Sequence, residues 1–321
     1  DRRFDICNIE KQCLIERTDM NERISIGGQA VIEGVMMRSP TCIATAVRKP
    51  SGEIVYKKTP ISKKKGKLAE IPFIRGAVML FDALVMGIKE LTFSANEAEE
   101  KEEEQISQKE AILTTVVSLG LGIGLFIVLP SLIGSFLFLD NKLYSNLLEA
   151  VLRLLFFILY IWLISFSKDV RRVYEYHGAE HKSIYAYENN MELTPENAKK
   201  FTTLHPRCGT SFLLIVMLIA IIVFSTIDFL FPTPATVIGR IAMKVVLRVI
   251  LMPLIAGISY EIQRYSSKHL DNFCIKTLAL PGLSLQKITT KEPDLKQLEV
   301  AIVAIKAALG ENVENAREVS K

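Results

Sequence analysis

The chain has 321 residues, half of which are apolar, and a mean hydropathy of +0.28. This apolar content is higher than in an ordinary soluble domain and is concentrated in long runs, so we expect an integral membrane protein whose partners are membrane lipids. The net charge of +4 is small, and no long Lys/Arg stripe with interleaved aromatic residues occurs, which argues against a nucleic-acid partner.

The N-terminal part of the chain predicts a tail followed by a small sheet. Residues 1–23 are polar and unpatterned, so we expect a flexible tail. Residues 24–70 are interpreted as a cytosolic β-rich module. Short strands are predicted at Gln29–Glu33, Ile43–Val47 and Glu53–Lys57, and a Pro-Ser-Gly turn separates the last two.

Residues 71–110 predict a helix and a charged extension. Pro72 suits the first turn of a helix, and the segment up to Ala95 mixes apolar residues with a few charges. Two interpretations remain open: an interfacial helix that lies on the membrane, or an amphipathic helix that covers the β module. The stretch Glu97–Glu110 is crowded with Glu and Lys and is typical of a solvated helical extension.

Residues 111–262 predict a four-helix transmembrane region with a cytosolic His-rich loop at 167–211. Each of four apolar segments has about the 20 residues that a helix needs to cross the hydrocarbon layer. They are Ala111–Leu139, Leu147–Phe166, Phe212–Phe231 and Ile241–Ile258. The first and third indicate spans most clearly, because the second and fourth contain charged side chains.

The distribution of basic residues predicts the orientation. The turns after the first and third spans have few basic residues, whereas the N-terminal region and the central loop have many. The positive-inside tendency therefore places both termini and the central loop in the cytoplasm of a multi-pass protein of the inner or plasma membrane. Residues 263–321 form a cytosolic C-terminal segment with an amphipathic helix that ends near Gly310. The fold class is thus a mostly α membrane protein with a small cytosolic α+β N-terminal module.

Three of the four histidines lie in the central loop. His177, Glu180 and His181 have helical i, i+3, i+4 spacing and would share one face. This His-x-x-Glu-His order is the inverted form of the zinc-protease motif. His205 and Cys208 precede the third span, so an antiparallel bundle would return them to the same membrane face. The pattern predicts a divalent metal site, with zinc the expected ion.

Ligand chemistry suggests a role for each residue. His177, His181 and His205 are the first choice as metal ligands, and Glu180 is the expected general base. Cys208 as a fourth ligand would indicate a closed, structural site. Glu261 follows the fourth span and is a further candidate ligand or orienting group. The alternative interpretation is that these residues cap helices and form hydrogen bonds at an interface.

Charged residues within the spans form a second group of candidate functional residues. Arg240, Lys244 and Arg248 recur every four residues, and the acidic and basic residues Glu149, Arg153 and Asp228 belong to the same half of the membrane. Such groups face partners or water because lipid does not solvate charge. Two interpretations remain open. The charged side chains pair with one another inside the bundle, or they line a polar cavity that binds an anionic head group or an ion.

Several motifs resemble those of the YqhQ-like family, bacterial membrane proteins regarded as predicted metal-dependent enzymes of unknown substrate. The blocks that carry the resemblance are Gly27–Arg38, Ile71–Gly76, His177–Lys182, His205–Ser211, Pro281-Gly282 and Leu285–Thr290. The resemblance implies a metal role for the central-loop residues named above. Glu33 and Arg38 match its first block without an assigned role.

Three functions are compatible with these patterns. The first is a metal-dependent membrane enzyme, expected to be a hydrolase that acts at the cytoplasmic face. The second is a non-enzymatic scaffold or regulator with a structural metal. The third is a transporter that uses the stripe formed by Arg240, Lys244 and Arg248.

Overall fold

A computed structural model describes residues 24–61, 71–100, 105–137, 141–231, 234, 236–268 and 272–319. The tail predicted for residues 1–23 lies outside these ranges. The helices are α1 (Ile74–Glu97), α2 (Gln108–Leu137), α3 (Lys142–Ile164), α4 (Lys168–Glu188), α5 (Pro195–Lys199), α6 (Gly209–Leu230), α7 (Val237–Lys268), α8 (Phe273–Thr289) and α9 (Leu295–Ala308).

The predicted N-terminal sheet is present. The strands are β1 (Gly27–Val31), β2 (Gly34–Arg38), β3 (Cys42–Arg48), β4 (Ile54–Pro60) and β5 (Arg317–Glu318). The first four form an antiparallel meander, and β5 pairs with β4 in parallel. β2 is not predicted from the sequence, since Gly34 marks the end of one strand as readily as the start of the next. Most residues of β2 and β3 are buried on both faces of the sheet, so the sheet is covered on both sides.

The four apolar spans are confirmed as long helices. Among the described residues, α2, α3, α6 and α7 are long and apolar enough to cross a membrane. α6 packs against α7 and α3, and the second half of α2 packs against α3. α2 contains a π-helical segment, Gly124–Val128, directly before Pro130. The prediction of a mostly α membrane protein with a small sheet is therefore confirmed.

The C-terminal helix α9 forms the centre of the extramembrane core. It begins with a capping box between Asp294 and Gln297 and packs against β2, β3 and α4. Its residues from Gln297 to Ala308 are buried with the exception of Lys306 and Glu299. Because one core joins the N-terminal strands, α4 and α9, these three parts lie on the same side of the membrane bundle.

Helix α1 contacts both the sheet and the bundle and leaves an apolar face open. Glu90 accepts a hydrogen bond from Thr45 in β3 at 2.7 Å, and near its start the helix crosses α7 closely at Gly257. Phe81 and Leu84 are 66% and 56% exposed. The helix thus covers the β module, as one interpretation predicts, and its open face is of the kind that lies on a membrane.

Candidate metal centre

Two imidazoles and one thiol converge beside the start of α6. One potential ligand atom each from His177, His181 and Cys208 lies within 4.8 Å of the others. The two histidines lie one turn apart on α4, and Cys208 is the N-cap residue of α6. The rings of His177 and His181 have centroids 4.5 Å apart. The chain therefore brings together three of the predicted ligands from two separate helices.

Backbone carbonyls orient both imidazoles. Nδ1 of His177 lies 2.8 Å from the carbonyl oxygen of Thr289, and Nδ1 of His181 lies 2.5 Å from that of Thr203. A carbonyl accepts only, so Nδ1 carries the proton in each neutral ring and the lone pair is on Nε2. Burial lowers the pKa of His181, which favours the neutral form that binds metals. Such outer hydrogen bonds are typical of metal-binding histidines.

The Nε2 atoms of both imidazoles lie beside the Cys208 thiol. Nε2 of His177 lies 3.2 Å from Sγ of Cys208. Nε2 of His181 is buried and forms no hydrogen bond of standard length and angle among the described residues, although the Cys208 thiol is close to the ring. The backbone N–H of Thr210 donates to the Cys208 sulfur at 3.4 Å and holds it at the start of α6. A buried nitrogen with a directed lone pair and no well-formed hydrogen bond is unusual in a folded protein and is satisfied if a cation binds there.

His205 lies beside this group without belonging to it. Its ring centroid is 5.5 Å from that of His181. However, its Nδ1 accepts the backbone N–H of Arg207 at 3.3 Å, and its Nε2 is 3.6 Å from a carboxylate oxygen of Glu188. The side chain of Gln286 pairs with the backbone N–H and carbonyl of His205 at 2.8 and 2.9 Å. The ring therefore forms a wall of the site, while both of its nitrogens face other partners.

Glu180 is buried between α4 and β1. Burial raises the pKa of its carboxyl group, and the neighbouring His177 and His205 partly oppose this shift. The backbone N–H of Gly28 donates to the carboxylate. A Cβ at Gly28 would lie 2.9 Å from two Glu180 side-chain carbons, so only glycine leaves room for this carboxyl group. Glu180 thus lies next to the imidazoles and outside the three-residue group.

The structure places Glu261 away from the three-residue group, in an ion pair. Arg75 of α1 donates to both of its carboxylate oxygens, at 2.6 and 2.5 Å. The pair joins α1 to α7 near the crossing at Gly257.

The two unassigned residues of the first motif block have separate environments. Glu33 has a left-handed backbone (φ 51°) at the β1–β2 turn and accepts two bonds from Arg172, one of them at 2.6 Å. It thereby ties the β hairpin to the first half of α4. Arg38 lines a cavity of about 230 Å³ between β1, β2 and α1. Gly28 lies in the wall of this cavity and also contacts Glu180, so the cavity is next to the candidate site.

Four contributors to the site are not predicted from the sequence. Thr203 and Thr289 act through backbone carbonyls, which every residue has, so no side-chain pattern identifies them. Gly28, Gln286 and Thr289 do lie in motif blocks of the family resemblance, which is the one signal that singles them out.

Comparisons with known proteins agree with the motif blocks. A family model described as "Protein of unknown function (DUF1385)" matches residues 71–311. The "Uncharacterized protein YqhQ" of Bacillus subtilis (strain 168) is 35% identical over 294 residues, which cover 86% of this chain and 89% of that protein. No solved structure matches.

Proposed function

The chain belongs to the DUF1385 family of proteins of unknown function, and we propose that it is a metal-dependent membrane hydrolase. His177, His181 and Cys208 would hold the metal ion. The observation that carries the proposal is the buried Nε2 of His181, which forms no hydrogen bond of standard length and angle among the described residues while its other nitrogen is fixed by a carbonyl.

The donor set suits zinc. Imidazole nitrogen and thiolate sulfur are the ligands that Zn²⁺ prefers, whereas Mg²⁺ and Ca²⁺ prefer oxygen. The group has three protein ligands, and three are typical of catalytic zinc sites, which keep one position open. His177 is less buried than His181 and Cys208, so a substrate would reach the group from the side of His177.

Each residue has a role in this proposal. When bound, the metal ion supplies Lewis-acid activation of water and of a carbonyl or phosphoryl oxygen. Glu180 holds and transfers the proton, since its carboxyl group is next to the imidazoles and is oriented by the N–H of Gly28. The neutral imidazoles stay in one tautomer because Thr203 and Thr289 fix their Nδ1 protons.

The proposal includes an orientation of the protein in the membrane. The extramembrane core of strands, α4 and α9 would face the cytoplasm of an inner or plasma membrane, in agreement with the basic residues of the central loop. The open apolar face of α1 would then lie at the membrane surface beside the cavity. A lipid-linked or membrane-adjacent substrate is the class that could reach such a site.

A second function is a scaffold or regulator with a structural metal. The observation that favours it is the burial of His181 and Cys208, which is typical of closed structural sites. The two functions differ in what they require of Glu180, since a structural site needs no group that transfers a proton.

We expect Glu180→Gln to keep its metal and to lose turnover at least about 100-fold, the range typical of a lost general acid or base. The test compares the full-length protein and this variant in nanodiscs, with metal measured by mass spectrometry and turnover measured on chromogenic ester, amide and phosphoester probes. Glu192→Gln is the matched control, because Glu192 is exposed beyond the end of α4.

Two results would contradict the proposal that the protein is an enzyme. Unchanged turnover in Glu180→Gln would remove the catalytic role of this carboxyl group. A metal-loaded wild-type protein that turns over none of the probes would favour the scaffold.

A further inference from the structure

A second polar cluster lies inside the membrane bundle, at a distance from the metal centre. Glu149 of α3 forms ion pairs with Lys244 and Arg248 of α7, the latter at 2.7 Å. Asp228 of α6 lies 3.3 Å from Arg248 and 3.7 Å from Lys244. Arg153 lies one turn after Glu149 on α3. Pairing inside the bundle, one interpretation of the sequence, therefore accounts for most of these charges.

Among the described residues of this cluster, the pairing leaves one positive charge in excess. Three basic side chains share two carboxylates, and the five residues are between 2% and 7% exposed. An uncompensated charge inside the hydrocarbon region is costly, because lipid does not solvate it. A bound anion would remove this cost.

The excess positive charge is located on Arg153 and Arg248. Nη2 of Arg153 and Nε of Arg248 have no hydrogen-bond partner among the described residues, although both side chains are more than nine-tenths buried. Nη2 of Arg153 is 3.8 Å from Glu149, too far for a hydrogen bond. Buried guanidinium N–H groups without acceptors are rare, because each costs the desolvation energy of the donor.

The surrounding groups hold both guanidinium groups in place. Nε of Arg153 donates to the carbonyl of Phe126 at 3.1 Å, within the π-helical segment of α2. The ring of Phe224 lies 5.5 Å from the Arg153 guanidinium carbon and 5.3 Å from that of Arg248. Arg248 also donates to the hydroxyl of Ser131. The two arginines are therefore fixed around one aromatic ring, and neither can extend to the membrane surface.

The cluster lies toward the opposite end of the bundle from the metal centre. Cys208 immediately precedes α6, and Asp228 is near the last turn of that helix. At 1.5 Å per residue, about 30 Å separates the two along the helix. A ligand of the cluster would thus come from the other membrane face and not from the hydrolytic site.

We propose that Arg153 and Arg248 form a binding site for a phosphate oxyanion within the bundle. The planar guanidinium fork matches the oxygens of a phosphate group and can bind two of them at once. The phosphate belongs either to a lipid head group or to free inorganic phosphate. The site is independent of the metal centre and of the proposed hydrolase activity.

The test measures the melting temperature of the full-length protein in dodecyl maltoside, a detergent that contains no phosphate. One arm adds inorganic phosphate, and the other adds phosphatidylglycerol. We expect a rise in one arm, which identifies the source of the phosphate, and no rise in Arg153→Gln. Arg171→Gln is the matched control, because Arg171 is an exposed arginine on α4, and it should behave like the wild type.

Arg153→Gln also distinguishes phosphate binding from ion pairing within the cluster alone. Arg153→Gln removes the excess charge, so without phosphate it should melt no lower than the wild type. If this variant does not fold, Arg153→Lys keeps the charge and loses the fork, and it should weaken phosphate binding about 10-fold, the effect of one lost charge-assisted hydrogen bond. A wild-type protein stabilised in neither arm, or an Arg153 variant stabilised as strongly as the wild type, would overturn the proposal.

Discussion

Replacing His181 by alanine is expected to remove the metal from the purified protein and to lower its affinity for Zn²⁺ at least about 100-fold. Even loss of an outer hydrogen bond to a ligand costs about 10- to 100-fold, so loss of a ligand itself should cost no less. His181 has the larger effect of the two histidines, because its Nε2 is buried and forms no hydrogen bond of standard length and angle among the described residues. The measurement is zinc content by mass spectrometry and affinity by competition with a chromogenic chelator.

His205→Gln is the control that distinguishes two ligand sets. The sequence favours His205 as a ligand, whereas in the structure its Nδ1 accepts a backbone N–H and its Nε2 faces Glu188. We therefore expect His205→Gln to keep its zinc and Cys208→Ser to lose affinity. Loss of zinc in His205→Gln with full zinc in Cys208→Ser would show that the ligand set proposed here is wrong.

Gly178→Ala is expected to destabilise the extramembrane core by about 3 kcal/mol, the upper part of the range for overpacked cores. A Cβ at Gly178 would lie 2.1 Å from the carbonyl oxygen of Lys291, which is backbone and cannot move as a side-chain end does. The backbone N–H of Lys291 donates to the carbonyl of Tyr174 at 2.9 Å, so the same contact joins α4 to the segment before α9. The added methyl group would separate these two elements beside His177.

The measurement is thermal unfolding of the full-length protein together with its zinc content. Gly122→Ala is the matched control, because a Cβ at this position in α2 has no heavy atom within 4 Å. It should be neutral or slightly stabilising, since alanine is favoured over glycine inside a helix by up to about 1 kcal/mol. Equal stability of the two variants would contradict the close contact between α4 and Lys291.

The spacing of residue types along the sequence predicts part of the metal centre. The i, i+3, i+4 pattern places His177, Glu180 and His181 on one helix face, and the hairpin topology returns Cys208 to the same end of the bundle. The orientation of the His205 ring depends on a turn of only a few residues, in which the N–H of Arg207 occupies the nitrogen that could bind a metal. Hydrogen bonds of this kind have no signature in the spacing of residue types.

The fold is predictable where one segment determines its own structure. The four spans follow from length and hydropathy, because any helix that crosses the hydrocarbon layer must satisfy both. Helix α8 is not predicted, since it is short for a span and contains Pro281. The burial of α9 is also not predicted, because a stripe of apolar residues does not reveal that strands more than 200 residues earlier cover its other sides.

Because α9 follows the strands and all four spans in the chain, the core that it completes can form only after those segments have been synthesised. The helix that covers one face of β2 and β3 is synthesised more than 200 residues after these strands. All four spans therefore emerge, and reach the membrane, before the sheet has its partner. During that interval the strands expose residues that are buried in the finished protein, such as Val35 and Ala44. The strands can therefore bury these residues only once α9 has left the ribosome, and until then the exposed apolar surface favours chaperone binding and aggregation.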